Sequence, residues 1–218
     1  MRALVTGFEP FGGDPVNASW EAVAALAARW PGSGVDDLEL VTARLPVTFE
    51  GAGDALGRAL AEHRPDVVVC TGLAAGSDAV RIERVALNLA DARIPDNAGA
   101  QPVDEPVVKH GPTAYLTRLP VKATLAALHD AGIPAVVSHS AGTYVCNATF
   151  YVLAHLLTAY PDVRGGFVHV PRTAEERVAP GGLPVADLAR ALEIVVRTAA
   201  DDAAGRVAEP ALAVGALH

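Results

Sequence analysis

Short apolar runs alternate along this chain with segments of helical periodicity, and that alternation constrains the fold more than any other feature. The runs "ALVT" (3–6), "LELVTARLP" (38–46), "DVVVCTG" (66–72), "AVVSHSAGT" (135–143) and "GGFVHVP" (165–171) read as strands. Between them, Val23, Leu26, Ala27 and Trp30 recur at i, i+3, i+4 and i+7, and Phe49, Leu56 and Leu60 mark one face of a second helix. Alternation of this kind predicts an α/β fold: one single-domain α/β/α sandwich with a twisted, mostly parallel sheet. "DVVVCTG" is continuous rather than alternating, as a strand buried on both faces must be, and Cys70 sits inside it.

The boundaries follow from local chemistry. Ser19 reads as the N-cap of the first helix, and Pro31 and Gly32 end it. Pro65 closes the second helix, and a third, around 121–131, stops at Gly132. "CNATFYVLAHLLTAY" (146–160) reads as a buried helix, and Leu188, Leu192, Val195 and Ala199 outline a closing one. Residues 81–110 break the rhythm: an extended strand dissolves into Pro, Asn and Gly, and an excursion of that length in a compact domain marks a functional loop or an interface. The domain is expected over 1–204, with 205–218 a weakly ordered C-terminal tail.

With 218 residues, 51% of them hydrophobic, the chain can bury a sizeable core. Its formal net charge of −8 repels phosphate backbones and anionic lipid headgroups, which argues against nucleic acid and membrane surfaces as partners. No run reaches the roughly 20 apolar residues of a membrane span, and the N-terminal apolar run is too short for a signal-peptide core. The protein is therefore expected to be cytoplasmic. Its two cysteines, Cys70 and Cys146, form neither a disulfide framework nor a zinc cluster, and no metal is expected.

Strand ends select the residues able to do chemistry, because ligands of open α/β sheets bind beyond the carboxyl ends of strands. Cys146 falls where a strand and its loop enter a helix, and His169 falls at the end of "GFVH". A thiol at a helix N-terminus feels the positive end of the helix dipole, and a nearby imidazolium further favours its ionised form. Taken alone, each residue has a plainer reading: cysteine is among the most buried residue types, and an isolated histidine or a Glu83 on an alternating strand is ordinary.

Four blocks change that weighing: "TGFEPFGGDPVNASWEAV" (6–23), "ERVALNLADARIPDN" (83–97), "SAGTYVCN" (140–147) and "GGFVHVP" (165–171). In order and spacing they resemble the pyroglutamyl peptidase I family of cysteine peptidases, also called pyrrolidone-carboxyl peptidases. The resemblance implies an omega-peptidase that removes N-terminal pyroglutamate from peptides and proteins through a thioacyl-enzyme, with no cofactor. It matches the family's nucleophile to Cys146, its general base to His169 and its third member to Glu83. It also implies an aromatic wall of Phe8 and Phe11, substrate contacts from Asn17 and Tyr144, and assistance from Arg93, which matches an arginine near the family's site. A homo-oligomer, dimer or tetramer, is implied as well. "GLAAGSDAVR" departs from the family's "GQAGGR"-like segment, so Leu73 replaces a polar residue able to contact substrate. Two other classes stay open at this point: a catalytically silent relative that binds blocked peptide N-termini, and a hydrolase or phosphorylase acting on nucleosides in which the thiol is structural.

Overall fold

The computed structural model describes residues 1–30, 37–176 and 182–215. Pro31 and Gly32, expected to end the first helix, lie outside them. The elements run β1 (Arg2–Phe8), α1 (Ala18–Arg29), β2 (Glu39–Leu45), α2 (Phe49–His63), β3 (Val67–Leu73), β4 (Val80–Glu83), β5 (Val85–Leu87), β6 (Ala114–Leu116), α3 (Val121–Asp130), β7 (Ala135–Ser138), α4 (Val145–Leu156), β8 (Arg164–Val170) and α5 (Val185–Ala203). Six strands form one sheet in the order β2-β1-β3-β8-β4-β7.

Helices cover both faces of this sheet. On one, α1, α3 and α5 pack Val23, Leu26, Leu128, Leu192 and Val195 against Val5, Val69, Ile82 and Val168. On the other, α2 and α4 pack Leu56, Phe150 and Leu153 against Leu4, Val68, Cys70 and Phe167. β3 is buried along almost its whole length, as its unbroken β-branched run requires. The α/β sandwich expected from the alternation is the fold observed.

Sheet direction holds one surprise. The pairings β1–β2, β1–β3, β3–β8 and β4–β7 are parallel, but β4 meets β8 antiparallel, with Arg81 opposite His169 and Glu83 opposite Phe167. β4 and β7 therefore run against the other four. The extended strand expected after residue 81 is also split at Arg84: β5 leaves the main sheet and pairs with β6 in a two-stranded antiparallel ribbon.

One local expectation changes. Asn17, not Ser19, caps α1: it holds extended φ and ψ, and its Oδ1 accepts the Ser19 N–H at 3.1 Å and the Ser19 hydroxyl at 2.8 Å. Asparagine at the N-cap brings its carbonyl within reach of a first-turn N–H, whereas Ser19 already lies inside the helix. At the other end, residues 205–215 carry no helix or strand, yet the tail is tethered. Glu209 Oε2 accepts the Lys122 and Ala123 N–H groups, each at 3.1 Å, and so caps the uncapped start of α3. No described helix is long and apolar enough to cross a membrane.

Candidate active site

A cavity of about 250 Å³ opens where β1, β3 and β8 end, on the sheet face covered by α2 and α4. Phe8, Phe11, Asn17, Tyr144, Cys146 and His169 all line it, although they come from segments far apart in the chain. Leu73 and Val47 add apolar wall, and Asp14 and Arg172 are its charged members besides His169.

The start of α4 carries Cys146. Because β7 runs opposite to β8, residues 139–144 must bring the chain back toward the ends of β3 and β8 before the helix begins. Asn147 anchors that return. Its Oδ1 accepts the Leu87 N–H at 2.9 Å, and its Nδ2 donates to the carbonyls of Leu87 and Leu89, both at 2.9 Å. A buried amide with three backbone bonds ties the helix start to the segment after β5, where a shift would strand all three partners. Across the sheet, Gly72 leaves room for the sulfur: a Cβ there would lie 2.7 Å from Cys146 Sγ and 2.9 Å from Phe167 Cζ. α4 has no side-chain cap, and the first-turn N–H groups of any helix lack intrahelical partners, so a donor-rich, electropositive end faces the thiol.

His169 and Glu83 meet diagonally across the antiparallel junction. Nδ1 of His169 lies 2.8 Å from Glu83 Oε1, leaving Nε2 for Cys146. Glu83 is wholly buried, and Arg81 Nε stands 3.6 Å from the same oxygen. Arg81 is itself steadied by donating to Ser138 Oγ at 2.9 Å. Burial opposes a charge on His169, but the Cys146 sulfur, as hydrogen-bond partner and negative charge, outweighs it together with Glu83. The imidazole is pushed up from 6.5 to about 9. The protonated ring therefore stabilises the fold fully below pH 6.5, and that contribution fades as pH rises from 6.5 through about 9.

Of the other residues singled out by the resemblance, Phe8 is buried against Phe167, and Phe11 packs on Tyr144 with ring centroids 5.4 Å apart. Tyr144 is braced by Phe49 and donates its hydroxyl to the Pro95 carbonyl at 2.9 Å. Asn17 is largely engaged in its cap and in donating to the Glu9 carbonyl at 2.9 Å. Arg93 is exposed and does not line the cavity. Sequence reasoning passed over Asn147, Asp14 and Arg172. For Asn147 a signal existed, since it is a polar residue opening an almost wholly apolar helix.

The two thiols differ sharply. Cys70 is fully buried in β3, and burial pushes it up to about 12 against a weaker opposing bond from Thr6. Cys146 is half-buried and lines the cavity. Iodoacetamide at low excess should label Cys146 well ahead of Cys70 on the native protein. Peptide mapping by mass spectrometry reads this directly, and equal labelling would make Cys146 packing material.

Comparison with known proteins agrees with the geometry. The pyroglutamyl peptidase family model matches residues 1–205. The pyrrolidone-carboxylate peptidase of Clavibacter michiganensis is 53% identical over 89% of this chain and 90% of its own length, and that of Streptomyces coelicolor is 50% identical over 91% and 92%. Among solved structures, pyroglutamyl peptidase I of Bacillus amyloliquefaciens superposes with a TM-score of 0.84 at 42% identity, covering 91% of this chain and 96% of that one. Pyrrolidone carboxyl peptidase of Pyrococcus furiosus gives 0.85 at 37%, covering 93% and 100%. With a cysteine and a histidine lining one cavity, a buried carboxylate bonded to that histidine, and a chain this similar to those enzymes, the protein belongs to the pyroglutamyl peptidase family of cysteine peptidases.

Proposed function

We propose that this chain hydrolyses the bond after an N-terminal pyroglutamyl residue, with Cys146 as nucleophile, His169 as acid and base, and Glu83 as the residue that orients the imidazole. The observation that carries this reading is the His169–Glu83 bond of 2.8 Å behind a half-buried Cys146 that lines the cavity. The Cys146 thiolate attacks the pyroglutamyl carbonyl carbon, and the oxyanion that forms is met by backbone N–H groups at the start of α4. His169, protonated, gives its proton to the departing amine as the carbon–nitrogen bond breaks, leaving a thioester on Cys146. Water then attacks the thioester carbon while His169 takes its proton, and pyroglutamate leaves as the thiolate re-forms. Glu83 fixes the tautomer through Nδ1 and offsets the imidazolium charge. Arg93, exposed and outside the cavity, has no part in this sequence.

A lactam suits the cavity because it is uncharged: apolar walls accept its ring, and the rim supplies the few polar groups it needs. The same reading has the chain act in the cytoplasm as a homo-oligomer of two or four copies. Ile94 and Val103, exposed on the excursion between β5 and β6, offer apolar surface that association would bury.

The test is release of a fluorogenic amine from a pyroglutamyl conjugate. Turnover should fall as pH rises past about 9, where His169 loses the proton the leaving amine requires. No turnover, with fold intact, would favour a silent binding protein, and turnover that climbs steadily past that pH would remove His169 from the acid role.

A further inference from the structure

The cavity's charged pair, Asp14 and Arg172, has no part in the chemistry above, yet both residues line the cavity beside Phe11. Phe11 rides on the loop between β1 and α1. The ends of that loop are pinned: the Glu9 N–H donates to the Leu45 carbonyl at 3.0 Å, Glu9 Oε1 accepts from Asn97 Nδ2 at 2.8 Å, and Asn17 Nδ2 donates to the Glu9 carbonyl at 2.9 Å. Its middle is not. Gly12 and Gly13 hold φ of +66° and +87°, and a Cβ on either would meet only open space, so they serve backbone conformation rather than packing.

Immediately after these glycines, Asp14 Oδ2 accepts from Arg172 Nη2 at 2.8 Å, across 158 residues of chain. Arg172 is itself held in place. Its Nη1 donates to Glu176 Oε2 at 2.6 Å, and Glu176 Oε1 accepts the Thr173 N–H at 3.0 Å and the Thr173 hydroxyl at 3.1 Å. The guanidinium side chain is only 19% exposed. An isolated surface ion pair contributes little, but this one belongs to a three-charge network in which Arg172 and Glu176 are largely buried and Asp14 is 37% exposed, and it is the sole ionic tether of a glycine-hinged segment among the described residues.

We propose that Arg172 is a positioning residue: through Asp14 it clamps the glycine-hinged loop so that Phe11 stays against the ring of the bound lactam. The clamp rests on the function proposed above, since it needs a lactam in this cavity. It acts on binding and not on bond breaking, because Arg172 lies three residues beyond His169 and bonds carboxylates rather than the Cys146–His169–Glu83 set.

The test uses an uncharged pyroglutamyl reporter with wild type, Asp14→Asn, Arg172→Met and the double variant, their thermal midpoints checked for folding. Each single change should raise KM roughly five-fold, with kcat held within about two-fold. The double variant should be no worse than either single, as expected of one shared interaction. Wild-type KM should also rise between about 0.05 and 1 M KCl, because salt screens the pair, and that dependence should vanish in the variants. Turnover is not the only readout: the 2-pyrrolidone concentration that protects Cys146 from iodoacetamide should rise by the same factor. Unchanged KM and a flat salt profile in a wild type that turns over would overturn the clamp alone, as would a loss confined to kcat. A wild type without turnover would sink the proposed function, and lactam protection would still read the clamp. A wild type showing neither turnover nor protection would overturn both.

Discussion

Replacing Cys146 with serine should lower release of amine from a pyroglutamyl reporter by a factor on the order of 10³ or more, while the thermal midpoint stays near that of wild type. A serine hydroxyl at the start of α4 has the same donors around it, but it enters the reaction un-ionised. Its partner His169 would lose the contact that most raises its protonation, so the acid needed by the leaving amine would be lost at lower pH as well. Folding should be spared, because the sulfur faces the cavity and Asn147, not Cys146, makes the bonds that seat the helix. Turnover near that of wild type would remove Cys146 from the mechanism and return the thiol to a structural role.

Opening the lactam should be nearly as damaging. A glutaminyl reporter carries an ammonium where the pyroglutamyl one carries an amide, and the wall of Phe8, Phe11, Val47, Leu73, Ala141 and Tyr144 offers it nothing. Asp14, the carboxylate lining the cavity among the described residues, already answers Arg172. Discrimination in kcat/KM should exceed the roughly 200-fold limit for a single methylene in an apolar pocket. Comparable values for the two reporters would refute the lactam pocket. The clamp adds a consequence: Arg172→Met frees Asp14, so the preference should narrow in that variant.

Several parts of this site were legible before any coordinates. Cys146 and His169 were placed at strand ends by the alternation and weighed as functional through the resemblance, which alone pointed to Phe8, Phe11 and Tyr144, and all five line the cavity. Glu83 was identified by resemblance, since an alternating strand by itself cannot say which of its carboxylates will be buried. Arg93 came from the resemblance too, and it lies exposed outside the cavity, because exposure depends on how the excursion folds back. Leu73 was marked as a departure and does line the cavity, where it makes the wall more apolar.

By itself the sequence determined the layers of this protein. Hydrophobic period is a local property: the β-branched run of β3 and the spaced leucines of α5 record burial on two faces and on one, whatever the partners turn out to be. Tertiary structure alone decided the direction of β4 and β7, the return of the chain to the start of α4, and the contacts of the cavity. Those depend on pairings such as Glu83 with His169, 86 residues apart, and Asp14 with Arg172, 158 apart. No local pattern encodes such distances, because hydrogen bonds and ion pairs are chosen by whichever groups the packed sheet brings face to face.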